Sequence, residues 1–235
     1  MQVVILCGGK GTRMGKDLQG SPKALIPVGD KPIIWHIMKY YAHFGFKDFI
    51  LCLGYKGKDI EKYFSKNKEF NIKFLDTGLE TNTGGRIKKA QKFINTDVFM
   101  ATYGDGLSDI NLKSLLKFHL EHKKTATLTA VRPRTTFGIV GIDSNTDIVT
   151  HFDEKPFLAH WINGGFFVFN RDAFKHIKEK DILEKQSFSR LVAQRELVAY
   201  KHSGFWECMD TYKDNLKLNE LWFSAKAPWK LWRGG

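Results

Sequence analysis

A glycine-rich loop follows the first apolar segment of the chain and has the composition of a phosphate-binding loop. Glycines stand at positions 8, 9 and 11, directly after the apolar run Val3–Cys7, and Arg13 follows them. Glycines let backbone N–H groups approach phosphate oxygens closely, and an arginine can pair with a phosphate through two hydrogen bonds. The loop therefore predicts binding of a phosphate-rich ligand.

Two common phosphate-binding motifs do not fit this loop. A Walker loop requires Gly-Lys followed by Ser or Thr, but Lys10 is followed by Gly11. The dinucleotide-binding fingerprint requires a third glycine where this chain has Met14. The spacing therefore argues against a P-loop NTPase and against a dinucleotide-dependent dehydrogenase.

A second candidate site is Tyr103-Gly104-Asp105-Gly106, which follows an apolar run that we interpret as a buried strand. Open α/β sheets bind ligands at the carboxyl ends of their strands, where Asp105 is expected to lie. Its carboxylate can hold Mg²⁺ through oxygen contacts that the ion shares with phosphates. A Gly-Asp-Gly sequence by itself also occurs in ordinary turns, so the two readings stay open at this point.

The elements that must position these residues alternate between strands and helices. Short apolar runs bounded by glycines predict buried strands, and apolar residues at helical spacing predict amphipathic helices. This alternation predicts an α/β fold with a doubly wound, mostly parallel, Rossmann-like mixed sheet. The predicted strands are Val3–Cys7, Phe49–Leu53, Ile72–Leu75, Val98–Thr102 and Ala126–Val131; the predicted helices are Pro32–Phe44, Lys58–Phe64, Gly85–Phe93 and Leu112–His122.

The pattern changes after Pro133. Three strand-like pieces, Gly138–Ile142, Ile148–Phe152 and Gly165–Phe169, predict a small antiparallel elaboration near the ligand site. We find no linker or repeat and expect residues 1–235 to form one domain, with a nucleotide-binding core over 1–132 and an acceptor-binding, metal-completing part over 133–235. The remaining predictions are helices at Asp172–Lys178, Phe188–Arg195 and Asp214–Ser224, and a strand at Leu197–Lys201.

Composition limits the class of protein. The chain has 235 residues, 43% of them hydrophobic, and a formal net charge of +12. Lysines are spread along the sequence instead of being clustered in one stripe, so we expect no nucleic-acid partner. Apolar runs stay well short of the roughly 20 residues that span a bilayer, so we expect no membrane partner. Three scattered cysteines do not suit a disulfide framework, which favours a cytoplasmic location.

The order of these motifs resembles that of the sugar-phosphate nucleotidyltransferases. The resemblance is carried by Gly-Gly-x-Gly-Thr-Arg with the downstream Pro22-Lys23, by the segment from Thr83 to Arg86, by the Asp105 motif, and by the segment that ends in Asp210-Thr211. It implies an enzyme that transfers a nucleotidyl group to a phosphorylated small molecule. It also implies Mg²⁺ as the cofactor, bound by Asp105 and Asp210, and a homo-oligomeric assembly.

The resemblance further implies a role for each matching residue. Arg13, Lys23, Asp105 and Asp210 are the expected catalytic residues. Lys155 of a Glu-Lys-Pro motif would contact the phosphate of the acceptor. The expected nucleotide-binding residues are Leu6, Gly8, Gly9, Gly11, Thr12, Arg13, Lys23, Thr83, Gly84, Gly85 and Gly104; the expected acceptor-binding residues are Lys155, Asn163, Gly164 and Gly165.

Within that family the pattern is most similar to that of cytidylyltransferases acting on glucose 1-phosphate, which favours CTP over UTP or TTP. The matching stretches include Lys31–Met38 and Gly54–Gly57. The chain departs from them between Tyr63 and Asp76, where it has a short connection in place of a longer insertion, so the acceptor could be another phosphorylated compound. Alternatives are use of UTP or TTP with a hexose 1-phosphate, and a non-catalytic nucleotide-sensing subunit, which would be expected to have lost Arg13, Lys23, Asp105 or Asp210.

Overall fold

The architecture is a twisted mixed sheet covered by helices on both faces. A computed structural model describes residues 1–9, 11 and 20–232 of the chain. Its strands are β1 (Gln2–Leu6), β2 (Pro27–Val28), β3 (Lys31–Pro32), β4 (Asp48–Leu53), β5 (Asn71–Asp76), β6 (Val98–Tyr103), β7 (Gly106–Ser108), β8 (Ala126–Val131), β9 (Ile139–Ile142), β10 (Val149–Asp153), β11 (Ile162–Asn163), β12 (Phe167–Asn170), β13 (Leu197–His202) and β14 (Trp206–Cys208).

The strand order of the main sheet is β5-β4-β1-β6-β12-β8-β11. Strand β12 pairs with the start of β8 and β11 with its end, whereas β13 pairs with β8 along its whole length. The pairs β1/β4, β1/β6, β4/β5 and β8/β13 are parallel, whereas β12 and β11 run antiparallel to their neighbours. Strand β1 is buried along most of its length because strands and helices surround it on every side. The predicted mixed, mostly parallel sheet is confirmed.

The helices pack on the sheet through the apolar faces that the sequence predicted. They are α1 (Ile33–His43), α2 (Gly57–Phe64), α3 (Thr83–Ala90), α4 (Leu112–His122), α5 (Phe188–Ala193) and α6 (Tyr212–Phe223). One face of the sheet is covered by a core that includes Met38 of α1 and Leu218 of α6. The other face is covered by a core that includes Ile87 of α3 and Leu191 of α5. No helix within the described ranges is long and apolar enough to cross a membrane.

The C-terminal half differs from the prediction in one strand. The segment Gly165–Phe169 was expected in the antiparallel elaboration, but β12 lies in the main sheet between β6 and β8. The side chains of Phe167, Val168 and Phe169 are buried on both faces of the sheet, which accounts for the continuous apolar run in this segment. Strands β9 and β10 do form a separate antiparallel pair.

Candidate functional site

A cavity of about 570 Å³ lies at the carboxyl ends of β1 and β6. These strands are neighbours in parallel register, with Leu6 opposite Tyr103, so the glycine loop and the Asp105 turn leave the sheet side by side. The Gly104 N–H donates to the Leu6 carbonyl at 3.0 Å and fixes the two turns together. The cavity is lined by Leu6, Gly8, Gly9, Gly11, Leu79, Glu80, Thr81, Asn82, Thr83, Arg86, Tyr103, Asp105 and Ile182.

A larger cavity, of about 720 Å³, lies at the opposite ends of the strands and is lined by residues such as Gln2, Asp48 and Asn71. The glycine loop and Asp105 do not line it. We therefore place the candidate site at the carboxyl ends, where ligand-binding groups converge.

The glycine loop is held from below by the buried guanidinium group of Arg86. This group donates to the carbonyl oxygens of Leu53 at 2.8 Å, Gly8 at 3.2 Å and Leu79 at 3.2 Å. A Cβ at Gly8 would lie 2.1 Å from an Arg86 nitrogen, so glycine is required by the close approach of that side chain. Arg86 thus positions the loop, a role that the sequence motif did not reveal.

Gly84 and Gly85 lie at the start of α3 and pack against another loop of the protein. A Cβ at Gly85 would lie 2.1 Å from the Glu179 carbonyl oxygen, and the Gly85 N–H donates to the Asp181 carbonyl at 3.2 Å. Thr83 lines the cavity, whereas Gly84, Gly85 and Gly104 are not among its lining residues. The structure therefore gives these glycines a packing environment beside the cavity.

Asp105 and Asp210 lie far apart in sequence and come together through a short antiparallel pair. Strand β7 follows Asp105, strand β14 precedes Asp210, and Cys208 pairs with Gly106. The Met209 N–H donates to the Asp105 carbonyl at 2.9 Å. The pairing of β7 with β14, which the sequence did not predict, is what brings the two aspartates to one place.

Lys23 lies between these two carboxylates. Its Nζ donates to Asp105 Oδ2 at 2.6 Å and to Asp210 Oδ1 at 2.6 Å. Burial opposes the charge of the ammonium group, but the carboxylates of Asp105 and Asp210 outweigh this effect and raise the pKa of Lys23 above its ordinary value. The carboxylates of Asp105 and Asp210 therefore form a binding position for a positive charge, which the ammonium group of Lys23 occupies.

The same position suits a divalent cation. One ligand atom each of Asp105, Cys208 and Asp210 lies within 4.8 Å of the others. Burial, followed by the charges of Asp105 and Asp210, raises the pKa of the Cys208 thiol, which keeps it protonated near neutral pH. Oxygen ligands are those that Mg²⁺ prefers, so the carboxylates of Asp105 and Asp210 suit that ion.

The backbone at Asp210 is fixed by the first turn of α6. The Asp214 carboxylate accepts from the N–H groups of Asp210 at 3.0 Å and Thr211 at 2.7 Å, and the Thr211 hydroxyl caps the helix. This role of Asp214 was not predicted, although Thr-x-x-Asp before a helix is a recognisable variant of the capping box.

Glu184 joins the nucleotide-side and acceptor-side candidates. It lies in a π-helical turn, Leu183–Ser187, and accepts hydrogen bonds from Tyr103 Oη and from Thr83 Oγ1, the latter at 2.8 Å. Asn163 Nδ2 donates to Tyr103 Oη at 3.0 Å. Glu184 was not predicted as a site residue, because no sequence motif marks a π-helical turn that meets the sheet from a distant segment.

The acceptor candidates are separated in the structure. Asn163 reaches Tyr103 beside the cavity, Gly164 accepts a hydrogen bond from Trp206 Nε1 at 2.8 Å, and Gly165 packs on the Tyr103 ring with a φ of 77°. Lys155 follows the end of β10, is exposed, and forms an ion pair with Glu154 at 2.9 Å. The predicted site residues Thr12 and Arg13 lie outside the described residues.

Comparisons with known proteins show the family of the chain. A family model described as nucleotidyl transferase matches residues 2–220. The chain is 40% identical to glucose-1-phosphate cytidylyltransferase of Salmonella typhi, over 99% of this chain and all of that protein. It is 34% identical to D-glycero-alpha-D-manno-heptose 1-phosphate guanylyltransferase of Campylobacter jejuni, over 83% of this chain and 86% of that protein.

The solved structures include HddC from Yersinia pseudotuberculosis complexed with GMP-PN. It superposes with a TM-score of 0.73 at 23% identity, over 94% of this chain and 99% of that one. This likeness supports the fold. The alignment with the Salmonella typhi protein extends over 258 positions, whereas this chain has 235 residues, so that relative contains residues that this chain lacks.

Proposed function

The chain belongs to the nucleotidyl transferase family, and from that premise we propose that it transfers the CMP group of CTP to a sugar 1-phosphate. The products would be a CDP-linked sugar and pyrophosphate. The observation that carries the proposal is the meeting of Lys23, Asp105 and Asp210 at the edge of a glycine-lined cavity: Asp105 lines the cavity, and Lys23 bridges Asp105 to Asp210.

The donor base is inferred from the relatives. A glucose-1-phosphate cytidylyltransferase matches this chain over nearly its whole length, which favours CTP, with glucose 1-phosphate as the first acceptor to test. The alternative of UTP or TTP with a hexose 1-phosphate uses the same site chemistry and differs only in base recognition. A non-catalytic nucleotide-sensing subunit is disfavoured because Lys23, Asp105 and Asp210 are retained and converge.

In the proposed reaction, a phosphate oxygen of the acceptor attacks the α-phosphorus of CTP. A new P–O bond forms while the bond from the α-phosphorus to the bridging oxygen breaks, and pyrophosphate leaves with that electron pair. The acceptor phosphate is anionic near neutral pH, so the reaction needs no strong general base. The work of the protein is to position both phosphates and neutralise their charge.

Each residue then has a defined part. Lys23 and the predicted Arg13 would hold the triphosphate, and Lys155 would orient the acceptor phosphate. Asp105 and Asp210 would hold Mg²⁺, which when bound neutralises charge on the phosphate oxygens. Binding of the ion and the triphosphate requires Lys23 to leave the carboxylates, and a phosphate is the ligand that its ammonium group would meet next.

We propose further that residues 1–132 form the nucleotide-binding core and residues 133–235 supply the acceptor-binding part and Asp210. We also propose a homo-oligomeric enzyme of the cytoplasm, where phosphorylated metabolites of this kind are available.

A pyrophosphate-release screen tests the function. The four common ribonucleoside triphosphates and TTP are each combined with glucose 1-phosphate and a panel of other small phosphates, with Mg²⁺ present. We expect release with CTP and a sugar 1-phosphate. Release with a different triphosphate and not with CTP would show that CTP is not the donor. No release with any pair of triphosphate and acceptor would refute the enzyme hypothesis.

Two variants test the site. Asp105→Asn and Asp210→Asn should each reduce kcat at least about 100-fold, because each removes a charged ligand of the cation. Asp172→Asn, at an exposed position on the surface, is the matched control and should keep wild-type kcat. Wild-type turnover in either site variant, with an unchanged circular dichroism spectrum, would remove these residues from the proposed centre.

A further inference from the structure

Cys208 lies beside Asp105 and Asp210, which we call the aspartate pair, and the proposed reaction gives its thiol no part. It is the last residue of β14, where it pairs with Gly106, the residue that follows Asp105. Met209 packs into the core, and the side chains on either side of it, those of Cys208 and Asp210, both lie near Asp105. The strand pairing that joins the two aspartates therefore also brings a sulfur atom to them.

The three side chains are spaced closely enough to bind one ion. One ligand atom each of Asp105, Cys208 and Asp210 lies within 4.8 Å of the other two. Bonds of about 2.0–2.3 Å to a tetrahedral ion place its ligand atoms about 3.3–3.6 Å apart, so the set has to close by at most about 1.5 Å. All three residues are partly exposed, and rotation of their side chains can supply that movement.

The aspartate pair already attracts a positive charge. The ammonium group of Lys23 lies 2.6 Å from a carboxylate oxygen of each aspartate. A cation is therefore bound at this position by the protein itself, which is an observation independent of the cysteine. Cys208 forms no disulfide, so its thiol is available as a third ligand when an ion replaces the ammonium group.

The third ligand changes which ions suit the position. Mg²⁺ takes oxygen ligands, requires a near-octahedral arrangement and gains little from sulfur. Zn²⁺ and Cd²⁺ accept sulfur as well as oxygen, and three protein ligands with one open position is a common arrangement for Zn²⁺. A sulfur atom beside two carboxylates therefore favours thiophilic ions over Mg²⁺.

We propose that, without bound nucleotide, a thiophilic divalent cation of the Zn²⁺ and Cd²⁺ class binds through Asp105, Cys208 and Asp210. This ligand set extends the metal centre of the proposed function, on which it rests, by a residue that the Mg²⁺ chemistry does not use. On binding, a metal–sulfur bond forms, the S–H proton passes to solvent, and Lys23 gives up its hydrogen bonds to the aspartate pair.

A thiophilic ion bound in this way should inhibit nucleotidyl transfer. It occupies the position that Mg²⁺ needs, so the two ions exclude each other. The thiolate also gives the centre one more negative charge than Mg²⁺ with the aspartate pair alone has, which weakens its attraction for a triphosphate. Exposure to such ions should therefore switch the enzyme off until a chelator removes them.

The first test detects the metal–sulfur bond directly. Cd²⁺ is titrated into the nucleotide-free protein, and the ultraviolet absorption of the thiolate–cadmium bond is recorded. Wild type should gain this absorption with the first equivalent of Cd²⁺, and Cys208→Ser should not. Cys52→Ala is the control, because Cys52 is a buried thiol outside this ligand set, and it should keep the absorption.

The second test compares a thiophilic ion with a hard one. Cys208→Ser should bind Cd²⁺ at least about 100-fold more weakly than wild type, since loss of even an outer partner of a metal ligand costs about 10–100-fold. It should bind Mn²⁺, measured by electron paramagnetic resonance, within about threefold of wild type, because carboxylates suit that ion without sulfur. In wild type, added Cd²⁺ should release the bound Mn²⁺.

Four results would each overturn the proposal: no metal–sulfur absorption in wild type, the same absorption in Cys208→Ser, an unchanged Cd²⁺ affinity in that variant, or Cd²⁺ that binds wild type without releasing Mn²⁺. If the serine variant loses Mn²⁺ binding as well, Cys208→Ala supplies the same comparison. These measurements use neither CTP nor an acceptor, so they can fail while pyrophosphate release succeeds, and the reverse.

Discussion

Replacing Lys23 with methionine removes the ammonium group that lies 2.6 Å from both Asp105 and Asp210. A metal ion that binds the protein without nucleotide must first displace this group. Each charge-assisted hydrogen bond contributes about 1.5–3 kcal/mol. Because the two carboxylates are 24% and 37% exposed and water weakens both bonds, we take the value of one bond, about 1.5–3 kcal/mol, for the two together. At 1.4 kcal/mol per factor of ten, Lys23→Met should bind Mn²⁺ about 10–100-fold more tightly than wild type in the absence of nucleotide.

Titration of free Mn²⁺ by electron paramagnetic resonance measures this affinity without any turnover. Lys175→Met is the matched control, because Lys175 pairs with the single carboxylate of Asp172 at an exposed position on the surface, and it should leave the affinity unchanged. The same Lys23 variant should lose pyrophosphate release, because the triphosphate then lacks its cation. Mn²⁺ affinity that is equal or weaker in Lys23→Met would refute the idea that lysine and metal share one position.

Three further predictions concern residues around the site and the core. Glu184→Gln should raise KM for the acceptor several-fold more than it changes KM for CTP, because it weakens the hydrogen bond that orients Tyr103 beside Asn163; equal changes in steady-state kinetics would contradict this. Burial lowers the pKa of His36 to about 4, against 6.5 for an exposed histidine. Between these two pH values the unfolded chain binds a proton at His36 that the folded protein does not bind. Stability should therefore be full above pH 6.5 and fall by about 3 kcal/mol towards pH 4, and in urea unfolding His36→Gln should lose that slope. Arg86→Met should lower the free energy of unfolding by about 3 kcal/mol or more, because it leaves the carbonyls of Leu53, Gly8 and Leu79 without their donor; a loss below 1 kcal/mol in the same assay would show that Arg86 does not hold the loop.

Local patterns were sufficient to predict most of the regular elements. Leu112–His122 and Ala126–Val131 match the observed helix α4 and strand β8, since apolar spacing and flanking polar residues mark both ends. The segment Asp172–Lys178 was expected to be helical and forms a short 3-10 helix, Arg171–Lys175. A short apolar spacing fits both kinds of helix, so the residue pattern does not distinguish them.

Residue patterns alone were enough to give the order of the elements, the family and the types of side chain in the site, because these depend on residues close together along the chain. Which of these side chains meet depends on contacts between distant segments. Pairing of β7 with β14 joins Asp105 to Asp210, a π-helical turn brings Glu184 to Thr83, and Arg86 reaches under Gly8. Such contacts are fixed by strand pairing and packing between distant segments, and no local pattern of residue types encodes them.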